Sequence, residues 1–131
     1  MPARRNDDEP KTDFNGIIKN IRTEVETVAK LTVRKYRKQA TRDARKMLTQ
    51  MKSDLRRWSN LLDQGLINTE DFEWLVQSQV DSVKMAGLQK AGLAEIRVDH
   101  FKRTFINLII DSFFDFILGS KVLADDDTVD A

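Results

Sequence analysis

No cysteine occurs anywhere in the 131 residues, which removes disulfides, thiolate nucleophiles and thiolate-bound metal at once. Such a composition fits a reducing, cytoplasmic compartment. The single histidine, His100, excludes the usual di-iron bundle centre, which requires two Glu-x-x-His units. Prolines stand only at positions 2 and 10, and glycines only at 16, 65, 87, 92 and 119. No apolar run is long: Phe105 to Leu118 is broken by Asn107, Asp111, Ser112 and Asp115, well short of the roughly 20 residues that span a bilayer. Met1 to Pro10 contain no apolar segment, so no secretory signal is expected. Neither a phosphate-cradling glycine loop nor a Gly-x-Ser-x-Gly elbow is present. The expectation is a protein that is not an enzyme, without cofactor, metal or small-molecule substrate and without integral membrane insertion.

What fills the chain instead is charge and helix-forming residues. Charged residues make up 33% and apolar residues 40%, enough for a core and too apolar for a disordered chain. Between Gly16 and Gly65 lies a stretch rich in Lys, Arg, Glu, Gln, Leu, Met and Ala, all good helix formers. Its apolar positions, Phe14, Ile18, Ile21, Val25, Val28, Thr32, Tyr36, Ala40, Ala44, Met47, Met51, Leu55, Trp58 and Leu62, advance by three or four throughout. That period predicts one helix over about 13–63, roughly 75 Å long. Thr12 or Asp13 can cap its start, and Gly65 supplies the left-handed stop.

A two-helix antiparallel return is expected over about 69–91 and 99–118. Asn68 or Thr69 caps the first return helix and Asp99 the second. Small residues at Ser78, Ser82, Ala86, Gly87 and Ala91 permit a close neighbour. The last helix is apolar over most of its circumference, with only Arg103, Thr104, Asn107, Asp111 and Asp115 as a polar stripe, and such a helix is a buried one. The predicted architecture is all-α, a single domain over 13–119, flanked by a disordered tail at 1–12 and an acidic disordered tail at 120–131.

Helix lengths carry a prediction about association. Two helices of about 20 residues cover only half of a 75 Å rod, leaving Ile17, Ile18, Ile21, Val25 and Val28 uncovered. An uncovered apolar stripe marks an interface, so these residues, with Phe113 and Phe116, are the expected homo-oligomer seam. Phe105, Ile109, Phe113 and Phe116 are expected to anchor the core. The alternative is a compact four-helix bundle with a bend near Gln39 to Asp43, although no glycine or proline lies there.

Charge is unevenly distributed. Residues 1–63 carry 16 Lys and Arg against 9 Asp and Glu, a net of +7, and residues 64–131 carry 6 against 12, a net of −6. The span 30–57 holds eleven cations against Asp43 and Asp54. Arg34, Lys35, Arg37, Lys38, Arg42, Arg45 and Lys46 are the candidate polyanion-binding residues, with Arg34, Lys38, Arg42 and Arg45 as one ridge. The same charges also suit the solvated face of a long helix. Tyr36 is the only aromatic among them, so nothing provides a base-stacking platform.

Asp111 and Asp115, four residues apart, suit a wetted edge better than a cation site. His100, beside the expected cap, reads as a surface residue. Trp58 and Trp74 flank the Gly65 turn and are expected to meet in the core.

The segment Leu61-Leu62-Asp63-Gln64-Gly65-Leu66-Ile67-Asn68-Thr69-Glu70-Asp71-Phe72 resembles the start of a SHOCT module, a short helical segment of bacterial proteins. The likeness covers about a dozen residues and ends at Trp74-Leu75-Val76. It implies an oligomerisation or interaction role. The functional expectation is a homo-oligomeric helical scaffold or adaptor. The alternatives are a sequence-independent nucleic-acid-binding protein using residues 30–57, and an amphipathic membrane-surface protein inserting Phe113, Phe114, Phe116 and Ile117.

Overall fold

The computed structural model describes the backbone of residues 9–130 and the side chains of 14–117. Among these residues it is all-α. Helix α1 spans Glu9–Val33, a 3-10 turn occupies Arg34–Tyr36, and α2 spans Arg37–Asp63. Helices α3 (Thr69–Ser82), α4 (Ala86–Lys90) and α5 (Glu95–Asp130) follow. Of the tail expected over 1–12, residues 1–8 lie outside the described residues, whereas Glu9 to Thr12 form the first turn of α1, so the helix starts ahead of the expected Thr12 or Asp13 cap.

The expected run over 13–63 is helical along its length, but it is not a straight rod. The chain reverses at Arg34–Tyr36, and α1 packs antiparallel on α2. Arg22 Nη1 donates to Thr49 Oγ1 at 3.4 Å, and Arg45 Nε donates to the Arg22 carbonyl at 2.9 Å. In a straight helix, residues 22 and 49 would lie about 40 Å apart. The reversal sits a few residues before the bend considered for the compact bundle and uses neither glycine nor proline. Arg34 takes a positive φ of 27°, and Tyr36 offers no side-chain cap to α2.

Burial explains why the chain accepts this corner. Holding a non-glycine residue in the left-handed region costs about 1–2 kcal/mol. Folding back buries Ile18, Ile21 and Val25, each contributing about 2 kcal/mol when removed from water. The gain exceeds the cost several-fold.

At the far end of α2 the stop is the expected one. Gly65 adopts φ 78°, with Leu66 N–H donating to the Leu61 carbonyl at 2.9 Å and Gly65 N–H to the Leu62 carbonyl at 3.1 Å. This pair of bonds is a Schellman closure, which requires the left-handed C′ residue. Asn68 then caps α3: its side chain accepts from Asp71 N–H at 2.8 Å, and the Asp71 carboxylate accepts from Asn68 N–H at 3.1 Å.

The return is more broken than expected. Helix α3 stops at Ser82, where Val83 turns extended with ψ 129°, and the rest of the expected 69–91 helix is the single turn of α4. Gly92, at φ 94°, closes α4 by the same pair of bonds, and buried Leu93 packs beside buried Leu88. Helix α5 begins at Glu95, four residues before the Asp99 cap. Its backbone stays helical to Asp130, through Gly119 and the segment expected to be a disordered tail.

α1, α2, α3 and α5 thus form an up-down-up-down bundle, each touching the next and α5 closing on α1. At one end Phe113 of α5 meets Phe14 of α1 and Phe72 of α3, with ring centroids 5.9 and 5.8 Å away. At the other, Arg97 of α5 donates to the Thr32 carbonyl of α1 at 3.0 Å, satisfying one of the carbonyls that a helix end leaves open. The nearly all-round apolarity of the last helix follows from this placement, since α1, α2 and α3 all contact it.

Candidate polyanion interface

The expected seam residues lie inside the chain's own bundle. Ile18, Ile21 and Val25 are core residues, and Ile17 and Val28 are half-buried against that core. Phe113 is fully buried, whereas Phe116 is 38% exposed and does not anchor the core as Phe105 and Ile109 do. The uncovered stripe that pointed to an oligomer is therefore not there, because the partner surface comes from α2 and α5. The membrane-insertion patch dissolves for the same reason: Phe113 and Ile117 are buried and Phe114 packs on the core, leaving Phe116 alone. Among the described residues no helix is long and apolar enough to cross a membrane.

The basic residues divide into two groups. Arg45, expected on the open ridge, turns back to α1. Besides the Arg22 carbonyl, it reaches Glu26, with Nη2 to Oε1 at 3.9 Å. It is a clamp across the helix pair. Arg56 lies over the Phe14 ring, 4.3 Å from its centroid, and Arg57 pairs with Asp54 at 3.2 Å. Lys38, Arg42 and Lys46 remain exposed on the outer face of α2. Spaced by four residues, they form a line about 12 Å long. Arg34, Lys35 and Arg37 extend it at the corner and are exposed too.

Asp43 lies beside this line and offsets one of its charges. It accepts from Leu88 N–H of α4 at 2.9 Å and from Gln39 Nε2 at 2.9 Å, which holds α4 to α2. Gly87 allows this contact, since a Cβ there would collide with the side chains of Gln39 and Asp43. A shallow cavity of about 180 Å³ beside it is lined by Lys46, Gln50, Lys84 and the α3–α4 connection.

A second groove, of about 590 Å³, runs between α3 and α5. It is lined by Glu73, Asp81, Asp99 and Asp111 together with Lys102 and Arg103, and is acidic on balance. Asp115 is exposed and lies outside that lining, and His100 is also exposed. Among the described residues, no group of three or more His, Asp or Glu is placed to hold a metal ion.

Sequence reasoning misplaced a second aromatic besides Phe116. Trp58 is buried, but Trp74 is 66% exposed and the two indoles do not share a core. Trp74 occupies the outer side of a helix whose inner positions are Phe72, Val76 and Val80. The spacing of those three buried residues is the signal that places Trp74 outside. Leu31, Leu66 and Ile96 are also exposed.

No family model, curated protein or solved structure matches this chain.

Proposed function

We propose that the protein is a non-catalytic helical adaptor that works by protein–protein interaction, presenting the outer face of α2 to an acidic surface on its partner. The observation that carries this reading is the exposed line Lys38, Arg42 and Lys46, continued by Arg34, Lys35 and Arg37, six cations against the single neighbouring acid Asp43. Rigid helical placement favours such a face, because the backbone that carries the cations needs no ordering on binding, although their long side chains do. The acidic α3–α5 groove repels an acidic partner and so fixes its orientation. The resemblance of residues 61–72 to the SHOCT module supports an interaction role, and the cysteine-free chain fits a cytoplasmic setting.

Nucleic acid is the second reading, favoured by the linear array. It has less support because Tyr36 packs half-buried against the core and leaves no exposed stacking surface among the cations.

The experiment compares the wild type with a Lys38→Glu, Arg42→Glu, Lys46→Glu variant for binding to labelled poly-glutamate and to duplex DNA, at two salt concentrations. The expected result is binding to poly-glutamate that falls at least about tenfold in the variant, a loss of roughly 1.4 kcal/mol. Equal binding by wild type and variant contradicts the adaptor reading. Tighter, steeply salt-dependent binding to the duplex selects the nucleic-acid reading instead.

A further inference from the structure

The α1–α2 contacts obey a simple register. Residue 22 meets 49, 26 meets 45, and 14 meets 56. Each pair adds to about 70, so the pairing is mirrored about residue 35, inside the 3-10 turn. Were the turn to straighten into continuous helix, two copies lying antiparallel would reproduce the same pairs about a two-fold axis through that residue.

The turn has several features that favour straightening. Arg34 is held at φ 27° without being glycine, and α2 begins with no side-chain cap. Arg37 and Lys38 lie at the positive end of the α2 dipole, where cations are unfavourable. No glycine or proline interrupts residues 17–64, and the apolar positions Val28, Thr32, Tyr36 and Ala40 step through the turn at helical spacing. Tertiary burial, the Arg45 clamp and the Arg97 bond to the Thr32 carbonyl hold the corner closed, and a second copy can supply the same contacts. Strained hinges between elements that pack well are the setting for segment exchange.

We propose that the protein self-associates by exchanging α1. The turn at Arg34–Tyr36 opens, and α1 of one copy seats Phe14, Ile18, Ile21 and Val25 between α2 and α5 of a second copy. The partner is this same chain, and the socket is the one α1 occupies in the closed form. This inference is independent of the basic-face reading. It restores Ile18, Ile21 and Val25 to a contact between copies by a different route from an uncovered seam. Both corners meet at the two-fold axis and bring Arg34, Lys35, Arg37 and Lys38 of each copy together, so screening by salt favours the exchanged dimer.

The absence of cysteine makes the test clean. Two variants, Arg22→Cys and Thr49→Cys, are mixed, partly unfolded and refolded together at high protein concentration and high salt. They are then treated with a short bis-maleimide, and their mass is followed by light scattering. The expected result is a dimer whose two chains are joined between positions 22 and 49. Its population should rise with salt, drop several-fold when Arg34→Gly is added to both chains, and increase when Arg34–Tyr36 are deleted. A chain that stays monomeric at every concentration and salt overturns the proposal. So does a dimer that gives no join between position 22 of one chain and position 49 of the other. Should the deletion variant not fold, the cross-link and Arg34→Gly still decide.

Discussion

Gly87 sits where α4 meets α2, with Gln39 and Asp43 occupying the space a Cβ would take. Substituting alanine there forces those side chains apart and disturbs the Asp43 bond to Leu88 N–H. The obstructing atoms are movable side-chain ends and alanine is the better helix former, so Gly87→Ala should destabilise the fold by no more than about 1 kcal/mol, measured as a slightly lower urea midpoint at unchanged slope. Thr41 presents the opposite case. Its hydroxyl is buried without a hydrogen-bond partner, so replacement by the isosteric Val removes a desolvated polar atom and leaves the packing alone. Thr41→Val should raise stability by about 1 kcal/mol, and a loss of that size would show that the hydroxyl is satisfied in solution. At this scale, side-chain type in the sequence told little. Arg45 and Arg42 look alike on a helical wheel, yet one clamps α1 and the other faces solvent. The difference depends on where α1 lies, which spacing along α2 does not encode.

Elements were read best where a local device sets the boundary. The Gly65 closure and the Asn68 cap each depend on a few consecutive residues, and both stand where their residue types predict. Removing the cap by Asn68→Ala should cost about 1 kcal/mol and loosen the first turn of α3, seen as faster amide exchange at Asp71. A protection factor unchanged at Asp71 would mean that packing of Phe72 alone holds that turn. The corner at Arg34–Tyr36 had no such device. Helical periodicity continues through it, and the reversal is chosen by burial of Ile18, Ile21 and Val25 against distant segments. Local pattern therefore predicted the helices correctly and their straightness wrongly. The return helix broke at Val83 for a related reason, since Asp43 and Gln39 of α2 offer α4 a docking point that neighbouring residues do not reveal.

For the whole molecule, closure of the bundle converges on Phe113, where α1, α3 and α5 meet. Phe113→Ala should cost about 3–5 kcal/mol, a large share of the roughly 5–15 kcal/mol that holds a domain together. Denaturant titration should show most of the cooperative transition lost, and an unchanged midpoint would mean that the three helices are not joined there. Charge is organised at the same scale, with the basic face on α2 and the acidic groove between α3 and α5. That division was visible in the sequence as opposite net charges in the two halves, although which cations remained exposed was not. Every reading of function here depends on α1 folding back on α2, because that fold buries the apolar stripe and leaves the basic face outside. The most direct test places spin labels at Arg22→Cys and Thr49→Cys and measures their separation by pulsed electron resonance, at low protein concentration and low salt. The folded-back pair predicts less than about 20 Å, whereas a separation near 40 Å, that of 27 residues of straight helix, would contradict it.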